Sequence, residues 1–204
     1  MKTRKRIEAG LTELGLLDPR MARLWQTAGT PAPRARKPGY ETLLRVIVGQ
    51  QLSTKAAASI WQRLEDAGIS RDPAAFLSQS DPALRGYGLS RQKIGYGRGL
   101  AEAIAGGTLD LTGMRRLADD EAIEALVALK GIGRWSAEVY LLFALGRADI
   151  MPADDLALVV SAGRHLGDGE RWTPAQLRAE AEKWQPWRSA AARLLWHAYR
   201  IDAI

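Results

Sequence analysis

The chain contains no cysteine. That excludes disulfides, thiolate zinc sites and cysteine-ligated iron–sulfur clusters, and it is the usage expected in a reducing compartment. Histidine is almost as scarce, with two residues, His165 and His197. Both read as packed or exposed side chains without a titrating role. A divalent-metal site built on the paired acids Asp154 and Asp155 would lack histidine or further acid partners nearby. No apolar run approaches the roughly 18 residues that a membrane-spanning helix needs. The start, MKTRKRIEAGLTELG, has a basic head but then alternates polar and apolar residues, without the continuous apolar segment of a secretory leader. Lys2, Arg4, Lys5 and Arg6 read as a solvated end. These absences predict a cytoplasmic protein that does not engage a membrane. Runs of alternating β-branched residues are missing too, as are internal repeats and low-complexity tracts, so the pattern predicts an all-α fold.

Acidic residues are in deficit: 23 Asp and Glu against 29 Lys and Arg, for a formal charge of +6. A surplus of that size favours a polyanion partner, because neutralising phosphates releases condensed counterions. What is present is otherwise ordinary. The 204 residues are 47% apolar and 25% charged, enough for a real core in one large or two small domains.

Helical periodicity predicts helices near 6–16 and 20–28, then a basic, proline-rich connector, TPAPRARKPG. A long amphipathic helix is expected over 41–66, ending near Gly68. Asp72-Pro73 and Ser80-Asp81-Pro82 start short helices, and Ser90 caps one over 91–105. Lys93 and Arg98 on that helix read as solvated. Further helices are expected at 121–129, 134–145, 156–166, 173–184 and 186–200.

The densest information lies in LKGIGRWSAEVYLLFALGRADIMPADD, residues 129–155. Gly131-Ile132-Gly133 joins two helices in a tight hairpin. The glycines permit positive φ and close backbone approach, and amides beside a helix start suit an anion. Taken alone, the tripeptide reads equally well as a bare turn. Asp155 falls where the next helix begins, a position that favours aspartate as a cap. A cap and a catalytic carboxylate are compatible, since capping fixes the charge. Asp154 reads as the true cap, a supporting acid or an exposed residue.

With these motifs in place, the sequence resembles the helix–hairpin–helix DNA glycosylase superfamily, and within it the 3-methyladenine DNA glycosylase II branch. Four segments carry the resemblance in matching order: VGQQLSTKAAASIW (48–61), LKGIGRWSAE (129–138), MPADDLAL (151–158) and KWQPWRSAAARLLWHAY (183–199). The chain looks like a minimal form without the N-terminal β domain of some relatives. The resemblance implies two helical lobes flanking a DNA-binding cleft, one over 41–147 with the hairpin and one combining 1–40 with 148–204. It implies a monomer that flips alkylated purines such as 3-methyladenine and 7-methylguanine out of duplex DNA and excises them hydrolytically.

Residue by residue, the resemblance makes Asp155 the catalytic carboxylate. Trp196 becomes the aromatic that stacks on the flipped base, with Trp135 and Tyr140 in the same base pocket. The relatives' pocket tyrosine is here Val139, beside Tyr140, which leaves the lesion range open to deaminated or other uncharged bases. Trp187 reads as packing. Gln51 and Leu52 occupy the wedge that fills the gap left by the flipped base. Gly131, Gly133 and Arg134 would hold a phosphate. The backbone carbonyls of Val127, Leu129 and Ile132 would hold a structural Na+ or K+. No cofactor is required, and no iron–sulfur cluster fits a chain without cysteine. Relatives that also cut the backbone carry a lysine at the hairpin position of Trp135, and tryptophan cannot form a Schiff base. The rival reading, a non-catalytic DNA-binding module using the hairpin alone, needs neither Asp155 nor the aromatic C-terminal helix.

Overall fold

The computed structural model describes residues 1–202, and among them all regular structure is helical. The chain divides into two compact units, one made of Met1–Ala35 and Leu141–Ile204, the other of Arg36–Tyr140. No helix among the described residues is long and apolar enough to cross a membrane.

The first unit is built from both ends of the chain. Helix α1 (Arg4–Leu17) is capped by the Thr3 hydroxyl and buries Ile7, Leu11 and Leu14, one face at helical spacing. Asp18 caps α2 (Pro19–Ala28), with Pro19 at the first helical position, where its missing N–H costs nothing. Both helices pack against α12 (Arg188–Ile201), α2 also meets α10 (Leu156–Leu166), and α11 (Pro174–Ala181) packs on α10. Along α12, Ala190, Ala191, Leu194, Leu195 and Ala198 are buried. Inside this core the Ser161 hydroxyl donates to the Leu195 carbonyl at 2.8 Å.

Asp18 is the polar hub of this unit. Its carboxylate is 4% exposed. It accepts the Arg20 backbone N–H at 3.0 Å, the Arg20 guanidinium at 2.8–3.0 Å and the Trp184 indole N–H at 3.0 Å. Burial alone would raise its pKa, but the bonds from Arg20 and Trp184 outweigh burial and hold it at about 2. A carboxylate whose folded pKa is depressed stabilises the fold above its unfolded value. That stability is lost as pH falls through the folded value. Thermal melts should therefore show a loss of stability between about pH 4 and pH 2 that is absent in Asp18→Asn, which is already less stable at neutral pH. An unaltered acid limb in the variant would remove Asp18 from this role.

The second unit contains α3 (Tyr40–Gly49), α4 (Thr54–Asp66), α5 (Pro73–Leu77), α6 (Asp81–Gly86), α7 (Arg91–Ala105), α8 (Asp119–Val127) and α9 (Arg134–Tyr140). A Cβ on Gly97 of α7 would lie 2.7 Å from the Phe76 ring, so glycine is what lets α5 and α7 approach.

Four expectations need correction. The helix expected over 41–66 is two helices, because Ser53 accepts the Ala56 N–H at 3.2 Å and starts a new one. The helix expected over 134–145 stops at Tyr140 and continues as a π-helical turn, Leu141–Leu145. Lys93 is partly buried, and its ammonium donates to the Val48 and Gln50 carbonyls, both at 2.8 Å. Arg98 is likewise engaged, with Asp81 at 2.9 Å and with the Leu77 and Gln79 carbonyls. Helical spacing marks which face a long cation occupies but not the carbonyls its end can reach.

Candidate functional site

The second unit carries the hairpin between α8 and α9. The Ile132 N–H donates to the Leu129 carbonyl at 3.0 Å, closing the turn. Gly131 has φ +94, and a Cβ there would fall 2.2 Å from the Tyr96 ring of α7. Gly131 is therefore glycine for internal reasons. Gly133 is different: its φ is not left-handed, and an added Cβ would meet nothing within 4 Å. Neither conformation nor packing within the chain asks for glycine there. Beyond it, Arg134 pairs with Glu138 one turn on, at 2.9 Å, with the arginine half exposed and the carboxylate buried. Trp135, in the first turn of α9, is 36% exposed.

The turn between α3 and α4 projects Gln51 and Leu52. Gln51 has φ +54, the one non-glycine residue with positive φ among the described residues. Such strain persists only where the surroundings enforce it, and it gathers at functional positions. Leu52 is 39% exposed. The neighbouring Gln50 does not project; its amide donates to the Gly131 carbonyl at 2.8 Å.

Tyr140 requires a correction. It is fully buried, and its hydroxyl accepts the Gly39 N–H at 3.0 Å. Burial pushes its phenol pKa up. A side chain with no exposed surface cannot touch an incoming base, so Tyr140 belongs to the interior of its unit.

The first unit carries the acids and the C-terminal helix. Asp155 is the N-cap of α10; its Oδ1 accepts the Ala157 N–H at 3.0 Å and the Leu158 N–H at 3.2 Å. The same oxygen accepts the Trp196 indole N–H at 2.9 Å. Three donors on one oxygen fix the plane of the carboxylate. Asp154 is ion-paired with Arg178 of α11 and so is committed elsewhere. Trp196 is partly exposed and meets Phe143 of the π turn, with ring centroids 5.4 Å apart and tilted by 32°. Arg193 is buried behind Phe143, its guanidinium 4.7 Å from the ring centre. Burial, with Arg34 adding to it, lowers that guanidinium to about 10.

Sequence reasoning missed what holds the strand of chain leading to Asp155. Arg188 pairs with Asp149 at 2.8 Å, the Ser189 N–H donates to the Ala148 carbonyl at 2.9 Å, and the Ile150 N–H donates to the Ser189 hydroxyl at 3.0 Å. The signal was the polar Arg188-Ser189 pair at the start of α12, ahead of the apolar Ala190-Ala191-Ala192 run. His165 meets Asp202 at 2.9 Å and His197 meets the Ala28 carbonyl at 2.9 Å, so both have packing partners within the first unit.

This combination defines a class. Residues 44–186 match the family model described as HhH-GPD superfamily base excision DNA repair protein, and the chain belongs to that superfamily. It is similar to DNA-3-methyladenine glycosylase 1 of Schizosaccharomyces pombe, with 34% identity over 91% of this chain and 84% of the relative. It is also similar to DNA-3-methyladenine glycosylase 2 of Escherichia coli, with 32% identity over 83% of this chain but 62% of that longer protein. Among solved structures, a DNA-3-methyladenine glycosidase from Bacillus halodurans superposes with a TM-score of 0.88 at 33% identity, covering 95% of this chain and 90% of that one. The S. pombe 3-methyladenine DNA glycosylase in complex with abasic DNA gives 0.79 at 30% identity, covering 96% and 97%.

Proposed function

We propose that this chain is a monofunctional DNA glycosylase that removes alkylated purines, 3-methyladenine and 7-methylguanine, from duplex DNA by hydrolysis. The observation that carries the reading is Asp155, a capped carboxylate held by the Trp196 indole on the helix that follows the hairpin unit. As the N-glycosidic bond breaks, its electron pair leaves with the base and positive charge builds on the sugar. A fixed carboxylate facing C1′ stabilises that charge and orients the attacking water, whose oxygen forms the new bond to C1′ as the carboxylate takes its proton. A cationic alkylated purine leaves as a neutral base and needs no strong general acid. Trp196 then offers its exposed face to the flipped base, where a cation is attracted by about 0.5–2 kcal/mol. The hairpin amides around Gly131 and Gly133, with Arg134, grip a phosphate, and Gln51 or Leu52 fills the gap in the stack. The relatives' printed names and the abasic-DNA complex support this substrate class.

The reading also gives a monovalent cation to the backbone carbonyls of Val127, the last residue of α8, and of Leu129 and Ile132 in the turn that follows it. All three are neutral oxygens, the donor type that Na+ or K+ accepts. Among the described residues no group of three or more His, Cys, Asp or Glu could hold a multivalent ion. Na+ or K+ there would brace the hairpin and take no part in chemistry. The reading also includes action as a monomer on DNA.

The test is an excision assay on defined lesions in duplex DNA, covering 3-methyladenine, 7-methylguanine, hypoxanthine and uracil. The two alkylated purines should be released, leaving an intact abasic strand, and borohydride should trap no enzyme–DNA adduct. Release of only the uncharged lesions would overturn the substrate class. A trapped adduct would overturn hydrolysis, since it requires an amine nucleophile.

A further inference from the structure

The turn and the hairpin are joined to one another within the second unit, and a single face of α7 makes the joint. Lys93 and Tyr96 stand three residues apart on that helix, hence on one side of it. The Lys93 ammonium donates to the carbonyls of Val48 and Gln50 at the end of α3, at 2.8 Å each. These are orphan acceptors of a helix C-terminus, where a cation is favoured. Yet Lys93 sits in the first turn of its own helix, where a cation is disfavoured, and among the described residues no carboxylate pairs with it. Burial lowers its pKa. Its placement therefore makes sense only through the turn it holds. Tyr96 meanwhile lies flat against Gly131 of the hairpin, and Gln50 spans the two by donating to the Gly131 carbonyl at 2.8 Å. On the far side Ser53 anchors the start of α4. Only Gln51 and Leu52 lie between these fixed points, and Gln51 is the strained residue.

We infer that Lys93 and Gln50 are positioning residues for base extrusion. They force Gln51 into its left-handed conformation and tie the wedge to the phosphate-gripping hairpin, so that binding the backbone and opening the stack occur together. This rests on the glycosylase reading and adds to it the device by which grip becomes extrusion.

The two can fail separately. Extruding a paired base costs a few kcal/mol that a single strand does not demand. Single-turnover release of 7-methylguanine is therefore measured for duplex and for single-stranded DNA, alongside fluorescence of 2-aminopurine placed beside the lesion. In Lys93→Met the duplex rate and the fluorescence rise on binding should fall by about tenfold or more, while the single-strand rate stays within about twofold of wild type. Lys93→Arg, which can reach the same carbonyls, should recover most of the duplex rate. Gln50→Leu should repeat the selective duplex loss, and it keeps the proposal testable if Lys93→Met does not fold. Equal losses on both substrates, or an unchanged fluorescence rise, would overturn the positioning role and leave the glycosylase reading intact. A wild-type protein inert on both substrates would overturn both.

Discussion

Asp155→Asn should release alkylated bases about a thousandfold more slowly than wild type while binding duplex DNA with nearly the same affinity. The substitution isolates charge. Asparagine is as good an N-cap as aspartate, and its side-chain oxygen can still accept the Ala157, Leu158 and Trp196 N–H groups that converge on Oδ1. Helix α10 and the indole should therefore stay where they are. What disappears is the negative charge opposite a cation that exists only at the transition state. Single-turnover excision on 7-methylguanine duplex gives the measurement. Retention of more than about a tenth of the wild-type rate, a loss below roughly 1.4 kcal/mol, would show that the chemistry does not depend on this carboxylate.

The two hairpin glycines should respond in opposite ways to one added methyl group. Gly131→Ala places a Cβ 2.2 Å from the Tyr96 ring in a residue held at φ +94. Backbone strain and overlap with a packed ring together should cost about 3 kcal/mol and lower Tm by roughly 10 °C. Gly133→Ala meets nothing within 4 Å and no left-handed φ, so its melting should match wild type. Its effect should instead be on duplex affinity, because on the proposed reading the methyl group obstructs a phosphate held by the hairpin amides. Thermal melts and salt-dependent binding of undamaged duplex distinguish the two. A Gly133→Ala protein with wild-type affinity would deny the hairpin its grip, and a Gly131→Ala protein with wild-type Tm would deny the contact with Tyr96.

The helical content and most helix starts were legible because they are local. Thr3, Asp18, Asp72, Ser80, Ser90, Asp155 and Thr173 all cap the helices they precede. The break at Gln50–Ser53 was also local, but it was read through: the apolar periodicity runs across it, and Ser53 competes as a cap only if the chain turns. What periodicity could not supply was distance along the chain. Lys93 reaching back to Val48, Arg188 bracing Asp149 and the Trp196 indole meeting Asp155 join residues far apart in sequence. Each uses a polar group at the end of a long or aromatic side chain, whose partner depends on packing. Tyr140 failed for the opposite reason. Its neighbourhood in sequence suggested a pocket, whereas its hydroxyl is spent inside the unit.

That buried hydroxyl has a consequence for how the chain assembles. The unit holding Asp155 is drawn from two stretches with the whole of the other unit inserted between them, so α1 and α2 can pack on each other early but meet α12 only when the C-terminal stretch arrives. Closing so long a loop in an unfolded chain carries an entropic penalty that grows with the residues enclosed. The inserted unit is continuous and can complete its own core first. When it does, the Tyr140 hydroxyl takes the Gly39 N–H, which brings the point where the insert begins beside the point where it ends. The clasp converts a closure over a long flexible chain into one over a few residues. A tyrosine buried away from solvent can thus shorten the closure that brings together the two stretches of the unit holding the acid.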